Sequence, residues 1–213
     1  MPQRFGSVLY LILLAGLAFG SAVATPDRAA EPLPWLLDCH SLAHGIPRKP
    51  LDSAGESQPL SRPRIVVRKS ERKLLLYSGD KLVRTYRAAL GLSPRGDKVR
   101  EGDRRTPEGD FYIFTKNDRS AFYLSLGISY PNAAHAERGM RDGLINKSQY
   151  DTILAALSEH KAPPQNTRLG GDIYIHGNGS GSDWTWGCVA LENEDIRELF
   201  NLVGVGTPVS IRP

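Results

Sequence analysis

Cysteine is nearly absent from this chain: Cys39 and Cys188 are the two in 213 residues. That scarcity excludes a small disulfide-built scaffold and a cysteine-rich zinc module. No basic block is present either. The net charge of +4 and pI near 9.1 come from scattered arginines, which suits an anionic polymer or membrane surface better than a specific nucleic-acid site. Zinc-finger spacing and RNP-type aromatic motifs are missing, so nucleic acid is not an expected partner. No internal repeat is visible, which sets solenoids and propellers aside. Hydrophobic residues at 40% and charged residues at 23% are ordinary for a folded domain.

What is present begins with an export signature. Arg4 precedes an apolar run over residues 8–19, and Ser21-Ala22-Val23-Ala24 offers a small-residue cleavage site before Thr25. The run is short for a membrane span, so residues 1–24 are expected to be a signal peptide. An uncleaved N-terminal anchor is the alternative, and the membrane enters only through this segment. Residues 25–63 are rich in Pro, Ser and charge and read as a linker, with an apolar island at Trp35 and Leu36. His40 and His44 lie four apart there, but no carboxylate or cysteine completes a metal set, so they read as loop residues.

From residue 64 to 213 the pattern is strand-rich. Ile65-Val66-Val67, the run 73–77 and the alternating run 81–90 form a meander around the Ser78-Gly79-Asp80 turn. Further strands are expected at 111–114, 122–128, 173–175 and 208–211. Residues 130–143 are polar and punctuated, and residues 147–161 show helical spacing in Tyr150, Ile153, Leu154 and Leu157. A second helix is expected behind Cys188, capped by Asn193. Strands dominate and helices interrupt them, so the expected fold is mostly β, sandwich-like, with a few inserted helices.

Chemistry concentrates in residues 172–191, where a strand carries His176 into a glycine-rich loop that Thr185-Trp186-Gly187-Cys188 closes. A free cysteine is only a few per cent thiolate at neutral pH and needs a base to attack a carbonyl. A strand-end imidazole can serve, and Gly187 frees backbone N–H groups to converge on an oxyanion. Two other readings stay open at this point: a buried structural thiol, and a Cys39–Cys188 disulfide that would silence the nucleophile.

His176-Gly177, a variable loop and Thr185-Trp186-Gly187-Cys188 resemble the signature of the L,D-transpeptidase catalytic domain, the YkuD type. The Thr106-Pro107-Glu108-Gly109-Asp110-Phe111 segment, the hairpin over residues 65–90 and the closing Gly206-Thr207-Pro208-Val209 are similar to the same family. The resemblance implies Cys188 as nucleophile, His176 as general base and acid, and the Gly177 carbonyl orienting the ring. It also implies an oxyanion hole of the Trp186, Gly187 and Cys188 N–H groups, with Thr185 bracing the loop. Tyr130, Arg138 and Trp184 are candidates for substrate contact, with core filling the alternative for Tyr130, Trp184 and Trp186.

The implied reaction is acyl transfer on peptidoglycan stem peptides, with no metal or organic cofactor, in the periplasm or envelope of a bacterium. The acceptor would be a second stem or an amine on a wall-linked protein. Water as acceptor would make a carboxypeptidase or amidase, and an inert thiol would leave a wall-binding module. Two departures stand out. Many relatives carry Arg or Asn two positions after the cysteine, where this chain has Ala190; Arg138, Arg141 or Arg168 could substitute. Trp186 replaces a second histidine of some relatives, and the C-[IV]-A-L ending resembles a compact subgroup. His135 and Asp142 have the spacing of some peptidoglycan metallopeptidases, but no downstream H-x-H pair follows, and His135 reads as an exposed loop or capping residue. Arg100, Arg104 and Arg105 read as solvated loop charges or contacts to anionic glycan.

Overall fold

A computed structural model describes residues 60–213. The expected export signal, Trp35, Cys39, His40 and His44 lie outside the described residues. Eight strands are present: β1 (Pro63–Arg68), β2 (Lys73–Ser78), β3 (Lys81–Arg87), β4 (Gly109–Ser120), β5 (Tyr123–Ile128), β6 (Tyr174–His176), β7 (Val189–Ala190) and β8 (Pro208–Arg212). Three helices interrupt them: α1 (Ala133–Arg141), α2 (Lys147–Ser158) and α3 (Asn193–Leu202). The fold is thus mostly β with inserted helices, as the strand-rich pattern implies.

The strands form one curled sheet in the order β3-β2-β1-β8-β4-β5-β6-β7. Alternation explains its buried face: in β1, Ile65 and Val67 point inward beside Leu74 and Leu76 of β2 and Val209 and Ile211 of β8. β4 is long enough to serve both halves. Gly109 to Tyr112 pair with β8, while Ile113 onward pairs with β5. Register irregularities between Ile113 and Thr115 fall where the strand changes partners, the local break that lets a strand bend. At the far edge, Ala89 bridges Ala190 with hydrogen bonds of 2.8 and 2.9 Å, so the chain leaving β3 meets β7 and the two ends of the curl join. α3 lays Ile196 and Leu199 into the main core, while Ala136, Ile145, Ile153 and Leu169 make a smaller cluster.

The helix α1 was not legible as a periodic segment. Its start is set by Asn132, whose side chain accepts from the His135 N–H. Its inner face carries small residues: Ala136 is buried, and Gly139 lies against Leu169 where a Cβ would come within 2.6 Å of that side chain. Small residues give no large apolar stripe to read. α2 starts at Asn146 with a capping box to Gln149. α3 is capped at Glu192 and not at Asn193; the Asn193 carboxamide accepts the Asn178 N–H at 2.8 Å and so anchors the His176 loop instead.

One loop, residues 91–108, matters most for the site, and buried charges hold it down. Lys69 is 2% exposed, and its Nζ donates to Gly96 O, Thr106 O and Glu108 Oε1 at 2.6, 2.9 and 2.8 Å. Asp97 takes His135 Nε2 at 3.0 Å, Arg138 at 2.8 Å and the Glu108 N–H at 2.7 Å. Burial opposes its charge, but these partners outweigh burial and hold the carboxyl well below the usual carboxylate range. Replacing Lys69 by methionine should cost about 2–3 kcal/mol in urea unfolding, because two carbonyls and Glu108 lose a cation that water cannot fully replace.

Candidate active site

The register of β6 and β7 builds the site. These strands are parallel, with Ile175 opposite Val189 and His176 opposite Ala190. Cys188, one residue before Val189, therefore falls beside Tyr174, two positions from His176 on the neighbouring strand. The Tyr174 N–H donates to Cys188 Sγ at 3.4 Å, and the thiol donates to Asp172 O at 3.4 Å. Asp172 reaches this position through a positive φ of 53°. The thiol is only partly accessible, and burial pushes its pKa up to about 11; the Tyr174 N–H works the other way.

His176 is 2% exposed. Its Nδ1 lies 2.8 Å from Gly177 O. A carbonyl can only accept, so Nδ1 carries the proton and Nε2 keeps a free lone pair. Phe122 packs on the ring at a centroid distance of 4.6 Å and Trp184 meets it edge-on at 5.5 Å. Burial pulls the His176 pKa down, against the opposing effect of the Gly177 hydrogen bond. Both partners therefore rest uncharged, as thiol and neutral imidazole. At pH 7 only about one thiol in 10⁴ would ionise unaided, so any nucleophilic role for Cys188 would need a base to take its proton.

This arrangement makes a pH prediction. Because burial lowers the imidazole pKa, the base is unprotonated above about pH 6.5 and stays so somewhat below it. The acid limb of kcat/KM should have its midpoint under pH 6.5, and the stability that neutral His176 contributes should fade as pH falls through the same lowered value. Alkylation by iodoacetamide should climb with pH toward 11 without a neutral plateau. A pH–rate profile and a thiol-labelling series measure both.

The loop before Cys188 is braced from two sides. Thr185 Oγ1 donates to Cys188 O at 2.8 Å and accepts the Gly187 N–H at 3.1 Å. The second brace is Thr106, in the Thr-Pro-Glu-Gly segment: its hydroxyl accepts the Gly91 N–H at 3.0 Å and reaches Cys188 O at 3.5 Å. Asp183 ties the loop to the β3 exit by accepting the Leu90 N–H at 2.9 Å and Arg72 Nη2 at 2.7 Å. Gly187 has φ 135°, and a Cβ there would sit 2.8 Å from Arg105 O.

Several expected roles differ in the folded chain. Of the three N–H groups expected to hold an oxyanion, that of Gly187 is taken by Thr185, while those of Trp186 and Cys188 have no acceptor among the described residues. Tyr130 is fully buried with its hydroxyl on Leu169 O at 3.0 Å, which makes it core and not a substrate contact. Arg138 is held by Asp97 and Lys98 O. Trp184 does stand beside the imidazole, with its Nε1–H on Gly179 O at 3.1 Å. Ala190 is buried and its backbone pairs with Ala89. Arg141 pairs with Asp142 on the surface. His135 is neither exposed nor a ligand: it is 2% exposed between Asn132 and Asp97. Among the described residues no three His, Cys, Asp or Glu side chains converge as a metal set. Phe122, Thr106 and Asp183 went unassigned in the sequence; Thr106 alone had a signal, its place in the Thr-Pro-Glu-Gly segment.

Comparison with known proteins places this geometry in context. The YkuD profile, described as the L,D-transpeptidase catalytic domain, matches residues 62–211. A Bacillus licheniformis protein provisionally named L,D-transpeptidase YkuD is 27% identical over 154 residues, covering 70% of this chain and 66% of that protein. Among solved structures, the helical cell shape determining protein Pgp2 of Campylobacter jejuni has a TM-score of 0.48 at 21% identity, covering 70% of this chain and 46% of its own. An L,D-transpeptidase of Mycobacterium smegmatis has a TM-score of 0.43 at 11% identity, covering 72% of this chain and 59% of its own. The chain thus spans just under two thirds of the curated relative and about half of these solved chains.

Proposed function

Because this chain belongs to the YkuD family of L,D-transpeptidase catalytic domains, we propose that it is an exported cysteine acyl transferase acting on peptidoglycan stem peptides. The observation that carries the reading is the neutral pair on adjacent strands: a partly accessible thiol at Cys188 beside a His176 whose Nε2 is left free by the Gly177 carbonyl. Attack requires the thiol to leave Asp172 O and turn toward the imidazole. His176 Nε2 takes the thiol proton as sulfur bonds to the carbonyl between the diamino acid and the terminal D-Ala. The oxyanion gathers on the Trp186 and Cys188 N–H groups. The imidazolium then returns its proton to the departing amine, the C–N bond breaks, and a thioester remains.

An acceptor amine resolves it by the reverse proton path: the amine bonds to the carbonyl, the C–S bond breaks, and the thiol is restored. A second stem gives a crosslink, a protein lysine gives an anchored protein, and water gives a hydrolase product. Periplasmic action rests on the export signature in residues 1–24. Intact-mass spectrometry with a carbapenem tests the nucleophile: one covalent adduct mapped to Cys188 is expected. An unmodified protein, or a Cys39–Cys188 disulfide in the secreted form, would sink the enzyme reading. Digestion of purified muropeptides then separates transfer from hydrolysis.

A further inference from the structure

Trp186 is the most exposed large hydrophobic side chain among the described residues, at 68%, and it stands two positions before Cys188. An exposed indole at the mouth of a reactive thiol keeps a large apolar face in water unless something covers it. Arg104 stands over it, its guanidinium carbon 4.9 Å from the ring centroid. Arg104 is exposed and makes no side-chain hydrogen bond or ion pair among the described residues, although Arg72, Arg84 and Arg138 all hold carboxylates.

The backbone shows that this placement is built. Arg104 has φ 57°, a conformation any residue with a Cβ adopts at a cost, and such outliers persist only where surroundings impose them. Here the constraint is packing: the Arg104 carbonyl accepts the Ser93 N–H at 3.0 Å, while Gly91 pairs with Thr185 and approaches Arg104 so closely that a Cβ would lie 2.2 Å from its carbonyl oxygen. Residues 91–93 are thereby clamped between Arg104 and Thr185. Leu92, 47% exposed, extends the apolar rim beside them. The result is a cation stacked on an aromatic face at the entrance, with every N–H of its fork unclaimed.

We propose that Arg104 and Trp186 form a recognition platform for a peptide carboxylate, so that the site selects anionic stem peptides over amidated ones. Guanidinium matches carboxylate geometry with two parallel N–H donors. Stacking on Trp186 holds the fork in place and shields one side of it from solvent. The terminal carboxylate and an internal one share this chemistry, and the platform takes one of them. The proposal rests on the stem-peptide reading above.

Calorimetric binding to the full chain carrying Cys188→Ala tests it without turnover. The probes are a synthetic stem tetrapeptide and two versions amidated at either the terminal or the internal carboxylate. Arg104→Ala should weaken the fully anionic peptide about tenfold, Arg104→Lys should restore part of the loss, and 0.5 M salt should mimic it. Amidating the carboxylate that the platform holds should weaken binding equally in Arg104 protein and abolish the Arg104→Ala difference. Trp186→Ala should weaken binding a few-fold. Iodoacetamide labelling of Cys188, in the background that retains the thiol, should be unchanged by Arg104→Ala; a slowed rate would mean Arg104 merely props the loop and would overturn the proposal. Binding that ignores Arg104, or falls equally for all three peptides, overturns it too. Absence of binding by any peptide overturns the stem-peptide reading along with it.

Discussion

Cys188→Ser is expected to lower acyl transfer by about 10⁴–10⁶-fold while leaving the fold intact. Sulfur and oxygen differ little in size, and the Thr185 and Thr106 contacts to the residue 188 carbonyl do not involve the side chain. The chemistry differs greatly. A hydroxyl is far less acidic than the thiol it replaces, and His176, already biased toward its neutral form by burial, is a weak base for so reluctant a proton. His176→Gln should cost less, about 10²–10⁴-fold, since the thiol can still lose its proton to water at raised pH. The double variant should be no slower than Cys188→Ser alone, because one proton transfer unites the two side chains. Single-turnover thioester formation, followed by intact mass, reads all three. Additive losses would mean that His176 serves binding and not proton transfer.

Gly187→Ala should be nearly as damaging, through geometry alone. At φ 135° an L side chain is strained, and its Cβ would collide with Arg105 O at 2.8 Å and crowd Ile173 Cδ1 at 3.1 Å. Relief requires the 185–188 turn or the 104–106 backbone to move. Either motion breaks the Thr185 and Thr106 hold on the Cys188 carbonyl and swings the Trp186 and Cys188 N–H groups off the oxyanion. Losing one such donor costs about 2.7–4 kcal/mol, so kcat should fall at least about 10²-fold. A modest drop in Tm is expected alongside, since the strain is local. Wild-type kcat in Gly187→Ala would show that the oxyanion is stabilised elsewhere.

Both results depend on a loop whose importance was only half visible beforehand. Thr106 sits in a segment conspicuous for its Thr-Pro-Glu-Gly pattern, yet nothing in that pattern says that its hydroxyl meets the Cys188 carbonyl across 82 residues. Nothing in the sequence sets Lys69, the residue after β1, apart from the other cations. It is buried beneath residues 96–108, because the curl of the sheet folds that loop over the strand end. Tyr130 was open in the sequence to a groove or a core role, and burial with its hydroxyl on Leu169 O and its ring near Phe111 makes it core.

Local chemistry and periodicity were enough to determine the strand-rich class and the helix α2, and the resemblance of the His-Gly and Gly-Cys motifs singled out His176 and Cys188 as the candidate pair. These follow from short-range facts: alternation, helical spacing, and motif residues close together in the chain. The tertiary structure alone decided which N–H groups of the 185–188 turn are already taken, which arginines are already paired, and which threonine of a distant loop reaches the Cys188 carbonyl. Those are outcomes of register. The parallel pairing of β6 with β7 sets Cys188 against Tyr174, and the meeting of Ala89 with Ala190 brings residues 91–108 to the site. Such long-range contacts depend on how the whole sheet closes, a property that no window of neighbouring residues contains.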